Sequence, residues 1–226
     1  MQFNILDIGD RCLEMHDLLR FKWILILEAM FAGAYISLTR GLFVIYLTSI
    51  GQEVEEMSFV VLVSAAVSLL IGTFIYKNSS FITRKVKPKL IIFHALERIT
   101  WLLIPLTSNA ISIIFLYSAY MIFSALISIF GLCHIWFVNR RLIRDVTAKR
   151  SAANGLSSIL GFALGVFLLA FLPPQTKFSY IFPLGSLLGL ISTLLVPLLN
   201  LSHLEGKPFP QITEQPEKVF QPLHFS

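Results

Sequence analysis

Charge is scarce in this sequence. Asp, Glu, Lys and Arg make up 14% of its 226 residues, against about 25% in a soluble globular domain. That shortage excludes a soluble enzyme, a charge-laced coiled coil and a disordered polymer. Cysteine is nearly absent as well. Cys12 and Cys133 stand far apart, in no CxxC or other metal-ligand spacing, so neither a disulfide framework nor a zinc site is expected, and no cofactor is implied. The first 22 residues lack the basic start and small-residue cleavage site of a signal peptide and carry Asp7, Asp10, Glu14 and Asp17 instead. What fills the chain is apolar: 56% of the residues are hydrophobic and 13% aromatic. Since one membrane-spanning helix needs about 20 such residues, six would take about 120 and leave roughly a hundred for loops and tails.

The chain divides that way. Residues 1–22 form an amphipathic N-terminal segment, in which Ile5, Ile8, Cys12, Met15 and Leu19 recur at helical steps. The spacing predicts a helix lying along the membrane surface. Six apolar segments follow within 23–200, at Trp23–Ser49, Ser58–Tyr76, Leu90–Leu106, Ile111–Val138, Ser151–Leu172 and Phe178–Leu199. Backbone groups in lipid must be bonded within their own segment, so each is read as a helix. The tail, 201–226, holds Pro208, Pro210, Pro216 and Pro222 without periodicity and reads as disordered. The expected class is an all-α, polytopic membrane protein with six transmembrane helices.

The net charge of +5 matters less than its placement. Fifteen of the 18 Lys and Arg residues lie in the N-terminal segment, in the loops after the second and fourth segments, and in the tail. The opposite loops hold only Lys177, with Glu53, Glu55 and Glu56 crowding the first of them. The positive-inside rule therefore puts both termini in the cytoplasm of a protein in the cell membrane. The expected partner is the lipid bilayer, not nucleic acid.

Glu28, Arg40, Glu97 and Arg98 fall within the spans, together with His94 and His134. A charge at a helix centre costs about 2.5–3.5 kcal/mol by insertion measurements, so each needs a partner or water. Arg40 lies twelve residues beyond Glu28, about 18 Å along a helix. Glu97 and Arg98 lie near the middle of the short third span. Depth alone thus suggests a buried network of Arg40, Glu97, Arg98 and His94 with an Arg40–Glu97 pair. Such a pair serves either to fix helix register or to bind and gate a solute.

Two helices carry uncharged polar stripes. Glu28, Ala32, Tyr35, Thr39 and Tyr46 fall within about 40° of one line on the first, with Arg40 about 120° away. Tyr117, Tyr120, Ser124, Ser128 and Gly131 gather on one side of the fourth. The stripes either line a shared watery cavity or bond to backbone and neighbouring helices. Small residues recur at four-residue steps in Ser157, Gly161 and Gly165, in Gly185 and Gly189, and in Ser64, Ser68 and Gly72. Such faces let helices approach closely, within the chain or against another.

The run GAYISLTRGLFVIYLTSIG, Gly33 to Gly51, resembles the first helix of the major facilitator superfamily, with its closing glycine before the outer loop. The basic stretch YKNSSFITRKVKPK from Tyr76 occupies the place of that superfamily's cytoplasmic loop motif. Arg84, Lys85, Lys87 and Lys89 supply similar charge there, while the motif's acidic residue and second glycine are absent. NRRLIRDVTAKRSAANGL, Asn139 to Leu156, resembles the entry to the fifth helix, with Arg150 and Gly155 in typical places. The resemblance covers about 23–200 and implies the N-terminal six-helix half of a transporter, a major-facilitator-like half bundle. In such a half the first and fourth helices line the pathway. It would place Glu28, Tyr35, Thr39, Arg40, Tyr46, Tyr117, Tyr120 and Ser124 along that pathway, with Arg84, Lys85, Lys87 and Lys89 in a gating loop. It also implies that the second and fifth helices meet the opposite half.

A facilitator has two such halves, so the implied activity is movement of a small solute by alternating access, as a homodimer or with a separate second half. A truncated remnant and a non-transporting accessory subunit are the alternatives. An intramembrane enzyme is disfavoured. GLSS from Gly155 lacks the GxSG pattern, Glu55 and Glu56 have no supporting histidines, and HALER from His94 offers one metal-ligand pair at most. No catalytic or metal-binding residues are expected.

Overall fold

A computed structural model describes residues 5–78, 81, 84–136 and 140–199. Among these residues the protein is all-α, with no strand. Six long helices are α1 (Ile5–Leu38), α3 (Val54–Lys77), α4 (Val86–Leu103), α5 (Ala110–Trp136), α6 (Arg140–Phe171) and α7 (Lys177–Leu195). A short helix, α2 (Phe43–Ser49), completes the first apolar segment. Short 3-10 turns follow α1, α4 and α7, at Arg40–Leu42, Ile104–Leu106 and Val196–Leu198.

Among the described residues, five stretches are long and apolar enough to cross a membrane: Leu19–Ser49, Val54–Ile75, Ala110–Ser128, Asp145–Phe171 and Lys177–Leu198. The sixth long helix, α4, carries Lys87, Lys89, Glu97 and Arg98 and does not meet that measure. Its faces are nonetheless arranged for lipid. His94, Glu97, Arg98 and Trp101 are buried in the bundle, whereas Ile92, Leu96, Ile99 and Leu103 are exposed. A helix in water turns its charges outward; a helix in a bilayer turns them inward. The outward faces of α3 and α6 agree, with Phe59, Leu62, Leu69 and Phe74 exposed on one and Ile159, Phe162, Val166 and Phe171 on the other. Apolar surface so continuous belongs in a bilayer. The chain is a helical multi-pass membrane protein.

Three expectations change. First, the N-terminal segment is not a separate surface helix: α1 runs unbroken from Ile5 to Leu38, because no proline interrupts it. Second, the first span is not one helix. It breaks at Thr39, whose φ and ψ of −105° and −84° are not helical. Ser37 and Thr39 hydroxyls donate back to the Gly33 and Tyr35 carbonyls at 3.0 and 2.7 Å, which bends a helix, and Gly41 follows. Third, the basic stretch before the fifth span is no loop. Residues 140–150 form the first turns of α6, extending that helix past Ser151. The tail at 201–226 lies outside the described residues, as does the side chain of His134.

Helix packing follows a regular rule. α1 packs mainly on α6 and α7, α5 on α3 and α4, and α4 on α7. Exchanging the first three long helices for the last three (α1 for α5, α3 for α6, α4 for α7) maps this set of pairs onto itself. The small-residue stripes make the close approaches, and they do so within the chain. A Cβ on Gly161 would lie 3.0 Å from the Ala34 backbone. Ser64 and Ser118 hydroxyls meet at 3.0 Å, and Ser68 donates to the Met121 carbonyl at 3.2 Å. The faces expected to meet an opposite half are therefore largely used in holding α3 to α5 and α6 to α1.

Two apolar cores divide the bundle. Phe43, Tyr46, Trp101, Tyr117, Phe178 and Phe182 cluster near the end reached by Ser49, Leu106 and Lys177. Ile24, Leu25, Val86, Leu90, Leu126 and Val196 form the second core near the basic end.

Candidate functional site

Polar side chains inside the bundle fall into three groups. Glu28 on α1 is buried and accepts from Arg150 Nη2 of α6 at 3.0 Å and from Ser192 Oγ of α7 at 3.3 Å. One carboxylate thus ties three helices. Arg150, read from the sequence as part of the basic stretch and of the entry to the fifth helix, reaches Glu28 because α6 is already helical there.

Glu97 and Arg98 form the second group, as an ion pair on α4 with both side chains buried. Arg98 Nε also donates to the Gly189 carbonyl at 3.4 Å, and its guanidinium lies 4.2 Å from the centre of the Tyr35 ring. Glycine at 189 makes this possible, since a Cβ there would stand 2.8 Å from Arg98 Cγ. His94 is buried one turn earlier on the same face. The expected Arg40–Glu97 pair does not form. Glu97 is taken by Arg98, and Arg40 is exposed on the 3-10 turn that follows α1. Arg98 contacts the Tyr35 ring, and Arg40 stands beyond the break at Thr39.

Arg40 is the third group. It sits on the 3-10 turn of the broken first span, nine residues before Ser49, about 14 Å at helical rise. It makes no ion pair with any described residue. α1 and α5 share no principal packing contact.

The rest of the two stripes is packed. Tyr35, Thr39, Tyr46, Tyr117 and Tyr120 are buried. Tyr46 shares its hydroxyl proton between the Ile104 and Thr107 carbonyls at 3.0 and 2.6 Å, tying the first span to the turn that ends α4. Tyr117 stacks on Phe43, with ring centres 4.3 Å apart and planes 8° from parallel. Trp101 meets Tyr120 edge-on at 5.0 Å. Hydroxyls here serve the fold; of the expected pathway residues only Arg40 is exposed and Ser124 half-buried. A groove of about 470 Å³ lies elsewhere, at the α4–α5 turn between Leu103, Leu106, Ile111 and Phe115, and is apolar.

At the basic end, Arg84 and Lys85 are exposed and Lys87 and Lys89 half-buried. None of the four pairs with a described acid. Lys89 donates to the Phe81 carbonyl and lies 3.9 Å from the centre of the Phe81 ring. Partial burial, then Lys85 and Arg84, hold its ammonium below the usual lysine range. Lys22 and Lys149 both pair with Asp145, joining α1 to α6 at the same end. Among the described residues no cluster of His, Cys, Asp and Glu is arranged to hold a metal ion.

No protein family, curated protein or solved structure matches this chain.

Proposed function

We propose that this protein is a six-span, major-facilitator-like half of a secondary transporter, with both termini cytoplasmic. In this reading it moves a small solute by alternating access once a second half, most simply a second copy, is in place. One observation carries the reading: Arg40 is exposed and unpaired about 14 Å from the end of its span. An arginine there cannot face hydrocarbon without a cost of about 2.5–3.5 kcal/mol. Irregular backbone, such as the break at Thr39, is tolerated at membrane depth only against protein or water. The space between α1 and α5 is accordingly read as the pathway.

Two features support the half-bundle. The exchange relation among helix pairs is what a three-plus-three inverted repeat produces, since three crossings per repeat reverse the second relative to the first. The inward charges of α4 suit it to a sixth span despite its composition.

A second reading, an accessory subunit that transports nothing, is favoured by the burial of Tyr35, Thr39 and Tyr46 in the core. Cysteine accessibility separates the two. With Cys12 and Cys133 replaced by serine, single cysteines at Ile36, Val44 and Ser124 should react in intact membranes with a charged, water-borne thiol reagent. Cysteines at Leu62 and Leu69, on the lipid face of α3, should not. Equal protection at all five positions would rule out an aqueous pathway beside Arg40 and leave the accessory reading.

A further inference from the structure

We infer that the junction of α3 and α4 is a docking surface for the headgroup of an anionic phospholipid, held by Lys77, Arg84, Lys85 and Lys89. The inference needs the chain's place in a membrane and does not depend on the transport reading above.

The first argument is local charge. Between Glu56 and Glu97 the sequence holds no acid, and the five cations of that stretch, Lys77, Arg84, Lys85, Lys87 and Lys89, all fall within 77–89. Lys77, Arg84 and Lys85 are exposed, and the first turn of α4 carries no acidic residue. None of the five pairs with a described carboxylate. Glu28 is held by Arg150, Glu97 by Arg98, and Asp145 by Lys22 and Lys149. Glu53, Glu55 and Glu56 begin α3, roughly 30 Å along that helix from Lys77. The basic end of the bundle is therefore uneven. Its α1–α6 side is balanced by Asp145, and its α3–α4 side carries unbalanced positive charge.

The second argument is position. The apolar stretch of α3 ends at Ile75, so Lys77 stands where headgroups meet hydrocarbon. Phe74 of α3 and Ile92 of α4 are exposed on the lipid side of this level. A phosphate in the headgroup layer is already confined at that depth, whereas a free anion must be drawn from bulk water. Each cation near such a surface strengthens binding of anionic lipid about fivefold, and Arg84 adds a fork that fits phosphate bidentately.

The third argument is that the junction is held in place. The Phe81 N–H donates to the Asn78 carbonyl at 2.9 Å. Lys89 donates to the Phe81 carbonyl, with its ammonium 3.9 Å from the centre of the Phe81 ring. That ring meets Phe93 of α4, centres 6.5 Å apart. The Lys89 N–H donates to the Lys85 carbonyl at 3.3 Å, which sets the two lysines one helical turn apart. Lys85 itself has φ of 51° and ψ of 50°, a left-handed conformation that glycine or asparagine holds more easily. A lysine kept there against its backbone preference points to a use for its charge.

The test is native mass spectrometry of the full-length protein from a mild detergent, titrated with phosphatidylglycerol or with phosphatidylcholine of the same acyl chains. The reading is lipid bound per chain, so oligomeric state does not enter. Phosphatidylglycerol should bind about tenfold or more tightly than phosphatidylcholine. Arg84→Gln and Lys85→Asn should each weaken it about fivefold, and the double variant more than about tenfold. Lys149→Gln removes one charge from the balanced cluster at the same end and should change binding by less than about twofold. Thermal midpoints check folding, and if Lys85→Asn lowers its midpoint, Arg84→Gln carries the test. Equal losses in Arg84→Gln and Lys149→Gln would mean bulk charge alone and overturn the inference, as would no loss in either. No preference for phosphatidylglycerol in the unaltered protein also overturns it, including where Asp7, Asp10, Glu14 and Asp17 neutralise the surface. Displacement of the lipid by glycerol 3-phosphate at equal concentration would assign the surface to a free anion and overturn the lipid.

Discussion

Gly33→Ala offers a sharp test of how α1 and α6 meet. A methyl group at position 33 would fall 2.5 Å from the Asn154 backbone carbonyl and would also strike Ser157 Oγ. The serine can rotate; the carbonyl cannot move unless α6 moves. Reaching an ordinary carbon–oxygen contact requires the helices to part by close to 1 Å. A gap of 0.5–1 Å forfeits about a quarter to a half of each contact's dispersion energy along the crossing. It also stretches the bonds from Asn154 to the Ala29 carbonyl and from Ser158 to the Gly33 carbonyl, now 3.2 and 3.3 Å. Overpacking of this kind costs about 1–3 kcal/mol, which for a chain of this size lowers the unfolding temperature by roughly 2–12 °C. Gly155→Ala is the matched control. Nothing lies within 4 Å of a Cβ there, and alanine is the better helix former by about 1 kcal/mol. The assay is thermal unfolding of both variants in one detergent, followed by fluorescence-detected gel filtration. A Gly33→Ala protein as stable as Gly155→Ala would refute the close crossing.

Four further outcomes follow from the same geometry. Tyr46→Phe leaves the Thr107 carbonyl without its donor and should cost about 1–3 kcal/mol, seen as a lower midpoint in the same thermal assay. Glu28→Ala strands the half-buried Arg150; its cost should lie between the surface and buried limits, about 1–3 kcal/mol. Adding Arg150→Ala should recover part of that loss in a double-mutant cycle. Gly189→Ala should push Arg98 from the Tyr35 ring and destabilise by about 1–3 kcal/mol, while Gly72→Ala, with open space around it, should be neutral. If the proposed topology holds, with the basic ends in the cytoplasm, a phosphatase fused after the last residue should be inactive and one inserted after Thr107 active; the reverse pattern would invert the topology.

Much of the architecture was legible because lipid simplifies the problem. Apolar length located the helices to within a few residues, except at the first span, which α1 enters from Ile5 and which breaks at Thr39, and where 140–150 joined α6. No proline or glycine stops a helix between Arg140 and Asn154, so basic charge marked a membrane end without marking a helix end. The small-residue stripes were visible as spacing, but spacing carries no address, and only the packed structure assigns Gly161 to α1 and Ser64 to α5. The pairing of Arg40 with Glu97 was read from depth alone. The angular offset of Arg40 from the Tyr35 stripe already argued against it, because Arg98 and Glu97 sit with Tyr35. The break at Thr39 was harder to read. It depends on two hydroxyls turning back to their own helix, a choice that Ser and Thr make only in context. The burial of the hydroxyl stripes follows from the aromatic rings of Phe43, Trp101 and Phe182, which periodicity classes simply as apolar.

Whether this chain works as half of a larger transporter is tested most directly by its mass in native spectrometry, released from a mild detergent. The account predicts a species near twice the 25.5 kDa of one chain, or one chain bound to a second protein of similar size. A protein that stays a 25.5 kDa monomer under conditions where it remains folded would contradict it.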